Sequence, residues 1–144
     1  ATYSFLLMFC PRGKKIGLLK VPKEIKSDKK LLTSYLSGLF DTDGCIGYDK
    51  NRNVYFVFVQ RDKNFVFDIY KCLISLGLNV NKPRVFYTVK GPGFNNRDLE
   101  EWRIYIGSKK TLYNFLGKIS FLHPIKKDKA DIIKNKIING PGEN

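Results

Sequence analysis

The sequence predicts an α+β fold, one antiparallel sheet with helices on one face, in the order helix, strand, strand, helix, strand, strand, helix, helix. Three observations predict it. Apolar residues recur at three- and four-residue spacing in segments that alternate with pairs of short β-type runs. Asp62 and Ser108 stand where helix N-caps are expected, and Gly44 and Gly77 where helices stop. The 144 residues are 43% hydrophobic, with 11 Phe, 8 Tyr and 1 Trp, enough for one buried core and too apolar for a disordered chain.

Residues 1–30 read as an arm or lead-in, and residues 31–144 as a single domain. The lead-in holds a short apolar stretch, Phe5 to Cys10, and then a basic segment broken by Pro11, Gly13, Gly17 and Pro22. Leu31 to Asp43 is a helix: Leu32, Tyr35, Leu36, Leu39 and Phe40 share a face, and Gly44 stops it. Cys45 to Lys50 and Val54 to Gln60 are strands around the turn Asn51-Arg52-Asn53. Asp62 caps a second helix whose inner face is Phe65, Ile69, Cys72, Leu73 and Leu76. Pro83 to Lys90 and Glu101 to Ile106 are two more strands, joined by the loop Gly91 to Glu100. Ser108 caps a third helix with Leu112, Phe115, Leu116 and Ile119 as its stripe. A last helix runs from about Asp128 to Ile138, after the basic pair Lys126-Lys127.

Charge narrows the partners. Lys and Arg number 26 against 13 Asp and Glu, a net +13 that favours a polyanion. A single histidine, His123, makes a zinc finger, a His-centred nuclease or a Ser-His-Asp triad a poor fit, since each needs His beside other ligands or partners. Cys10, Cys45 and Cys72 are odd in number and lack CxxC spacing, which fits a reducing, intracellular compartment rather than secretion. No apolar run reaches the roughly 18 residues of a membrane span, and Phe5 to Cys10 lacks the basic flank of a signal peptide.

Strand parity then gives the sheet two unlike faces. Trp102, Ile104 and Ile106 point one way, Arg103 and Tyr105 the other; Val85, Tyr87 and Val89 share one face, Arg84, Thr88 and Lys90 the opposite one. The open face is basic and aromatic, and a DNA major groove admits a two-stranded ribbon.

One segment carries chemistry: Leu36-Ser37-Gly38-Leu39-Phe40-Asp41-Thr42-Asp43-Gly44. It sets two carboxylates at a helix C-terminus, where the macrodipole disfavours each by about 0.3 to 1 kcal/mol. Ser34, Gly38 and Thr42 lie four apart, and small side chains at that spacing let a second helix approach closely. Two copies packed there would bring their acids together, an oxygen-rich cluster suited to divalent cations and to phosphodiester hydrolysis.

This segment resembles the nine-residue signature of LAGLIDADG homing endonucleases, matching at Leu36, Gly38, Leu39, Asp41, Asp43 and Gly44, with Ser37, Phe40 and Thr42 as conservative stand-ins. The resemblance extends over the αββαββα order from about Leu31 to Ile138, and it implies a saddle-shaped sheet that sits in the major groove. It implies a site-specific double-strand DNA endonuclease that uses roughly two or three Mg²⁺ per dimer site, with Mn²⁺ able to substitute. It implies that Asp43 binds metal with the backbone carbonyl of Thr42, that Gln60 organises water, and that Lys126, or Lys127 one register along, sits near the scissile phosphate. Asn51, Arg52, Asn53, Tyr55, Arg61, Arg84, Thr88, Lys90, Arg103 and Tyr105 become the implied DNA contacts. The signature occurs once, so the resemblance implies a homodimer, joined through Ser34, Tyr35, Gly38, Leu39, Asp41 and Thr42, on a long pseudo-palindromic target. The alternative on the same fold is a non-catalytic binder, either a DNA-binding regulator or a maturase with intron RNA as its partner.

Overall fold

Asp28 starts the acid-bearing helix: its carboxylate accepts from the backbone N–H of Lys30 and of Leu31, two of the donors a helix N-terminus leaves open. In the computed structural model, which describes residues 19–88 and 99–140, the elements are α1 (Lys23–Ser27), α2 (Lys29–Asp43), β1 (Gly44–Tyr48), β2 (Val54–Gln60), α3 (Lys63–Ser75), β3 (Arg84–Thr88), β4 (Leu99–Ile106), α4 (Lys109–Lys118) and α5 (Pro124–Asn139). The four strands form one antiparallel sheet in the order β1-β2-β4-β3. The predicted fold class therefore holds.

The core lies where α2, α3 and α4 meet the inner face of β2 and β4. Helix α2 buries Leu32, Leu36 and Phe40, each contributing about 1.5 to 3 kcal/mol by leaving water. Phe40 is the hub: its ring lies 5.0 Å from Phe56, 5.4 Å from Phe58 and 5.7 Å from Phe115, edge-on or tilted as aromatic quadrupoles prefer. Asp62 and Ser108 cap α3 and α4 through the N–H groups of Phe65 and Thr111, as their positions in sequence predict. Gly77 ends the α3 region at φ +81°, the left-handed conformation that favours glycine.

Several boundaries move. Helix α5 begins at Pro124, not near Asp128, because proline suits the first helical position; Lys126 and Lys127 therefore sit in its first turn. Strand β4 begins at Leu99, so Leu99 and Glu100 pair with Thr88 and Tyr87 instead of lying in the loop. Strand β1 is Gly44–Tyr48, and the turn after it is built by Asp49, whose carboxylate accepts from the backbone N–H of Asn51 and of Asn53. Gly44 ends α2 for another reason than backbone freedom. It is extended (φ −84°, ψ 150°), but a Cβ there would lie 2.6 Å from the carbonyl oxygen of Phe40 and 2.7 Å from the Phe56 ring. The lead-in also reaches the core: Val21 is buried, its N–H donates to Asp68 Oδ2 at 2.7 Å, and Lys26 pairs with the same carboxylate. No helix among the described residues is long and apolar enough to cross a membrane.

Candidate functional site

The acidic end of α2 is built from three elements. Asp43 is the last helical residue and is exposed; its Oδ2 accepts from Gln60 Nε2 at 2.9 Å. Gln60 can reach it because β2 alternates: Val54, Phe56, Phe58 and Gln60 all face the helices, and Gln60 is the one beyond the apolar core. Lys126, half-buried in the first turn of α5, extends its Nζ to the carbonyl oxygens of Phe40 (3.2 Å) and Asp41 (2.5 Å). These are C-terminal helix carbonyls, and a cation there opposes both the macrodipole and the nearby carboxylates. Lys127, the next residue, is exposed.

Asp41 turns inward to its own chain. Its carboxylate accepts from the N–H of Leu122 at 3.1 Å and from the N–H of His123 at 3.0 and 3.1 Å, which holds the start of α5. Ser37 does similar work, accepting from the Ser120 N–H at 3.1 Å. His123 is the N-cap residue of α5.

The outer stripe of α2 carries Leu31, Ser34, Gly38 and Thr42, all exposed, flanked by the half-buried Tyr35 and Leu39. A Cβ at Gly38 would touch nothing within 4 Å. Among the described residues, no contact accounts for that glycine. Thr42 Oγ1 donates to the Leu39 carbonyl, and the Thr42 backbone carbonyl is one of the last four of the helix, which have no partner within it.

The donor set at this end can be judged against a metal. Asp43 and the helix-end carbonyls are all oxygen ligands, which suits a hard cation such as Mg²⁺. One chain offers only part of the about six ligands that cation takes, and among the described residues no group of three His, Cys, Asp or Glu gathers to hold a metal. The residues fit half of a metal site.

The open sheet face bears Tyr55, Tyr105, Arg84 and Arg103, and also Phe86 and Glu101, which composition alone gave no reason to select. Tyr55 and Tyr105 stack at 5.9 Å and 18°. The Cys45 thiol beside it pushes the Tyr55 phenol above the usual tyrosine range, so it stays a neutral hydroxyl at physiological pH. Asn51 and Arg52 lie exposed in the β1–β2 turn, Arg52 at φ +61°, whereas Asn53 Nδ2 is tied to Asp49 at 3.2 Å. Arg61 is exposed just past β2, Thr88 ends β3, and Lys90 lies outside the described residues. Burial pushes the Cys72 thiol up to about 11, which makes it a core residue and no nucleophile.

No curated protein matches the chain. Two crystal structures of the homing endonuclease I-CvuI are similar to it. One, with its own DNA target and Ca, is 17% identical with a TM-score of 0.50; the other, with the I-CreI target and Mg and its DNA not cleaved, is 18% identical with a TM-score of 0.48. Each alignment covers 76% of this chain and 68% of that chain, and the first shows the shared fold. A family model described as LAGLIDADG-like domain matches residues 30–120, from α2 to just past α4. With the nine-residue motif on α2, the four-stranded antiparallel sheet and that match over more than half its length, the chain belongs to the LAGLIDADG-like domain family.

Proposed function

We propose that the protein is a site-specific double-strand DNA endonuclease of the homing type, acting as a homodimer on a pseudo-palindromic target. One observation carries this reading. Asp43, backed by Gln60 and flanked by Lys126, stands exposed at the end of a helix whose outer face carries the small residues Ser34, Gly38 and Thr42. A two-fold pairing of α2 completes the half-site and supplies one acid per strand to be cut.

Each residue then has a chemical task. Asp43 and the Thr42 carbonyl would hold Mg²⁺. When bound there, that ion would lower the pKa of water and polarise a phosphate oxygen. Gln60 fixes the Asp43 carboxylate through its amide and can orient a water with the remaining amide oxygen. Lys126 holds positive charge beside the place where a scissile phosphate would lie. The basic open face of the sheet, with Arg84, Arg103, Tyr55 and Tyr105, would enter the major groove, and Arg52 and Arg61 would meet phosphates at its edges. Asp41 is spent on the start of α5, so only Asp43 distinguishes a nuclease from a binder on this fold.

The test is cleavage of a randomised duplex library in Mg²⁺ with the wild-type chain and with Asp43→Asn. Cut ends sharing one long, roughly palindromic site, lost in the variant while salt-sensitive DNA retention persists, are the expected result. Retention of nucleic acid without cuts would instead support the regulator or maturase.

A further inference from the structure

On the open sheet face, Arg103 is oriented by two neighbouring side chains. Arg103 stacks its guanidinium over the Phe86 ring at 4.1 Å, and its Nη2 reaches Glu101 Oε2 at 3.4 Å, a long bond. Its Nε is buried and, among the described residues, has no hydrogen-bond partner. Arg84 lies directly opposite on β3, in register with Arg103, and like charges facing across a strand pair repel. Arg103, Arg84 and Phe86, with Asn81, Lys82 and Tyr105, line an open cavity of about 360 Å³. Arg84 and Arg103 thus bring two like charges to that cavity, and an electronegative partner there would offset their repulsion.

We infer that Arg103 and Glu101 together read one G·C base pair in each half of the DNA target, with Phe86 as the residue that positions Arg103. The inference rests on the reading of the sheet as DNA-facing. In the major groove a G·C pair presents two acceptors on guanine, N7 and O6, and then one donor, the cytosine N4 amino group. Arg103 offers the matching donors and Glu101, hydrogen-bonded beside it, the matching acceptor. A phosphate fits less well, because it only accepts hydrogen bonds and would give the Glu101 carboxylate no donor. Position agrees: β4 is an inner strand, and Arg103 pairs with Val59, one residue from Gln60, so the base pair read lies toward the cleavage centre rather than at the rim. Phe86 restricts the plane of the guanidinium, and a fixed plane is what bidentate recognition of guanine needs.

The experiment is binding-site selection from random duplexes, made with full-length protein carrying Asp43→Asn so that bound DNA is not cut. The expected result is a selected palindrome with guanine strongly preferred at one position per half-site. Adding Arg103→Ala should erase that preference alone, a loss of discrimination on the order of ten- to a hundredfold, with the rest of the selected site unchanged. Adding Phe86→Ala should weaken the same preference without moving it. Uniformly weaker binding by Arg103→Ala, with an unaltered base profile, would make it a phosphate contact and overturn the inference. Selection of no site at all would remove the DNA-facing reading, and the inference with it. A selected guanine that depends on Arg103, in a protein that never cuts, would keep the inference and remove the nuclease.

Discussion

Asp41 and Lys126 each close the other's helix end. The Asp41 carboxylate accepts from the N–H groups that lead into α5, while Lys126, in the first turn of α5, donates to the Asp41 backbone carbonyl at 2.5 Å. Orphan donors of one helix and orphan acceptors of the other are thus satisfied by one exchange. Removing the carboxylate leaves two N–H groups without their acceptor. Asp41→Ala should therefore cost about 1 to 2 kcal/mol, and Asp41→Asn, which keeps one oxygen, less. Urea unfolding monitored by circular dichroism measures both, and an unchanged midpoint for Asp41→Ala would show that the contact carries no stability.

The two neighbouring lysines should separate cleanly. Lys126 lies against the acidic helix end and Lys127 is exposed to solvent. Lys126→Met should lower DNA cleavage by roughly 10²-fold, through the charge lost beside the phosphate, with a stability change below about 1 kcal/mol. Lys127→Met should leave cleavage within about twofold, the scale of an exposed charge removed from the surface. Single-turnover cleavage of the selected target compares them, and equal losses in both variants would mean that neither lysine acts locally.

Much of this arrangement is legible in the sequence because it depends on periodicity and parity. The apolar stripes of α2, α3 and α4 and the two faces of β4 follow from side-chain spacing alone, and the burial of Phe65, Ile69, Leu112 and Phe115 agrees. The α5 start is less legible, because Pro124 reads equally well as the end of a loop and as the first turn of a helix. Asp49 and Asp41 illustrate a different limit. Both carboxylates act on backbone N–H groups, Asp49 four residues away and Asp41 more than eighty residues away, and spacing reveals only the first kind. The role of Glu101 depends on the cross-strand register of β3 and β4, which the length of the connecting loop conceals.

Gly44 is expected to tolerate nothing larger. The added Cβ of Gly44→Ala meets the Phe40 carbonyl oxygen at 2.6 Å and the Phe56 ring at 2.7 Å, and the first of these is backbone that cannot rotate away. The substitution should destabilise by about 1 to 3 kcal/mol, the usual range for overpacking. Because the strain falls between Asp43 and β1, cleavage should decline further than stability does. Denaturant midpoints beside cleavage rates at low temperature test this, and a variant as stable as wild type would mean that the helix end shifts freely.

Gly38 should respond with opposite signs in two measurements. It sits mid-helix, where glycine costs about 1 kcal/mol relative to alanine, and among the described residues a Cβ there meets nothing within 4 Å. Taken as a monomer, Gly38→Leu should be neutral or more stable. In the proposed dimer the same side chain enters the helix-to-helix seam and should weaken association by at least about tenfold, since close approach along Ser34, Gly38 and Thr42 depends on small residues. Sedimentation equilibrium across a concentration series reads the association, and urea unfolding at low protein concentration reads the chain. Cleavage should fall with the fraction of dimer, because each chain brings only one free acid, Asp43, to the site. If Gly38→Leu associates and cuts as wild type does, the seam is not on this face of α2, and the two acids must be brought together some other way.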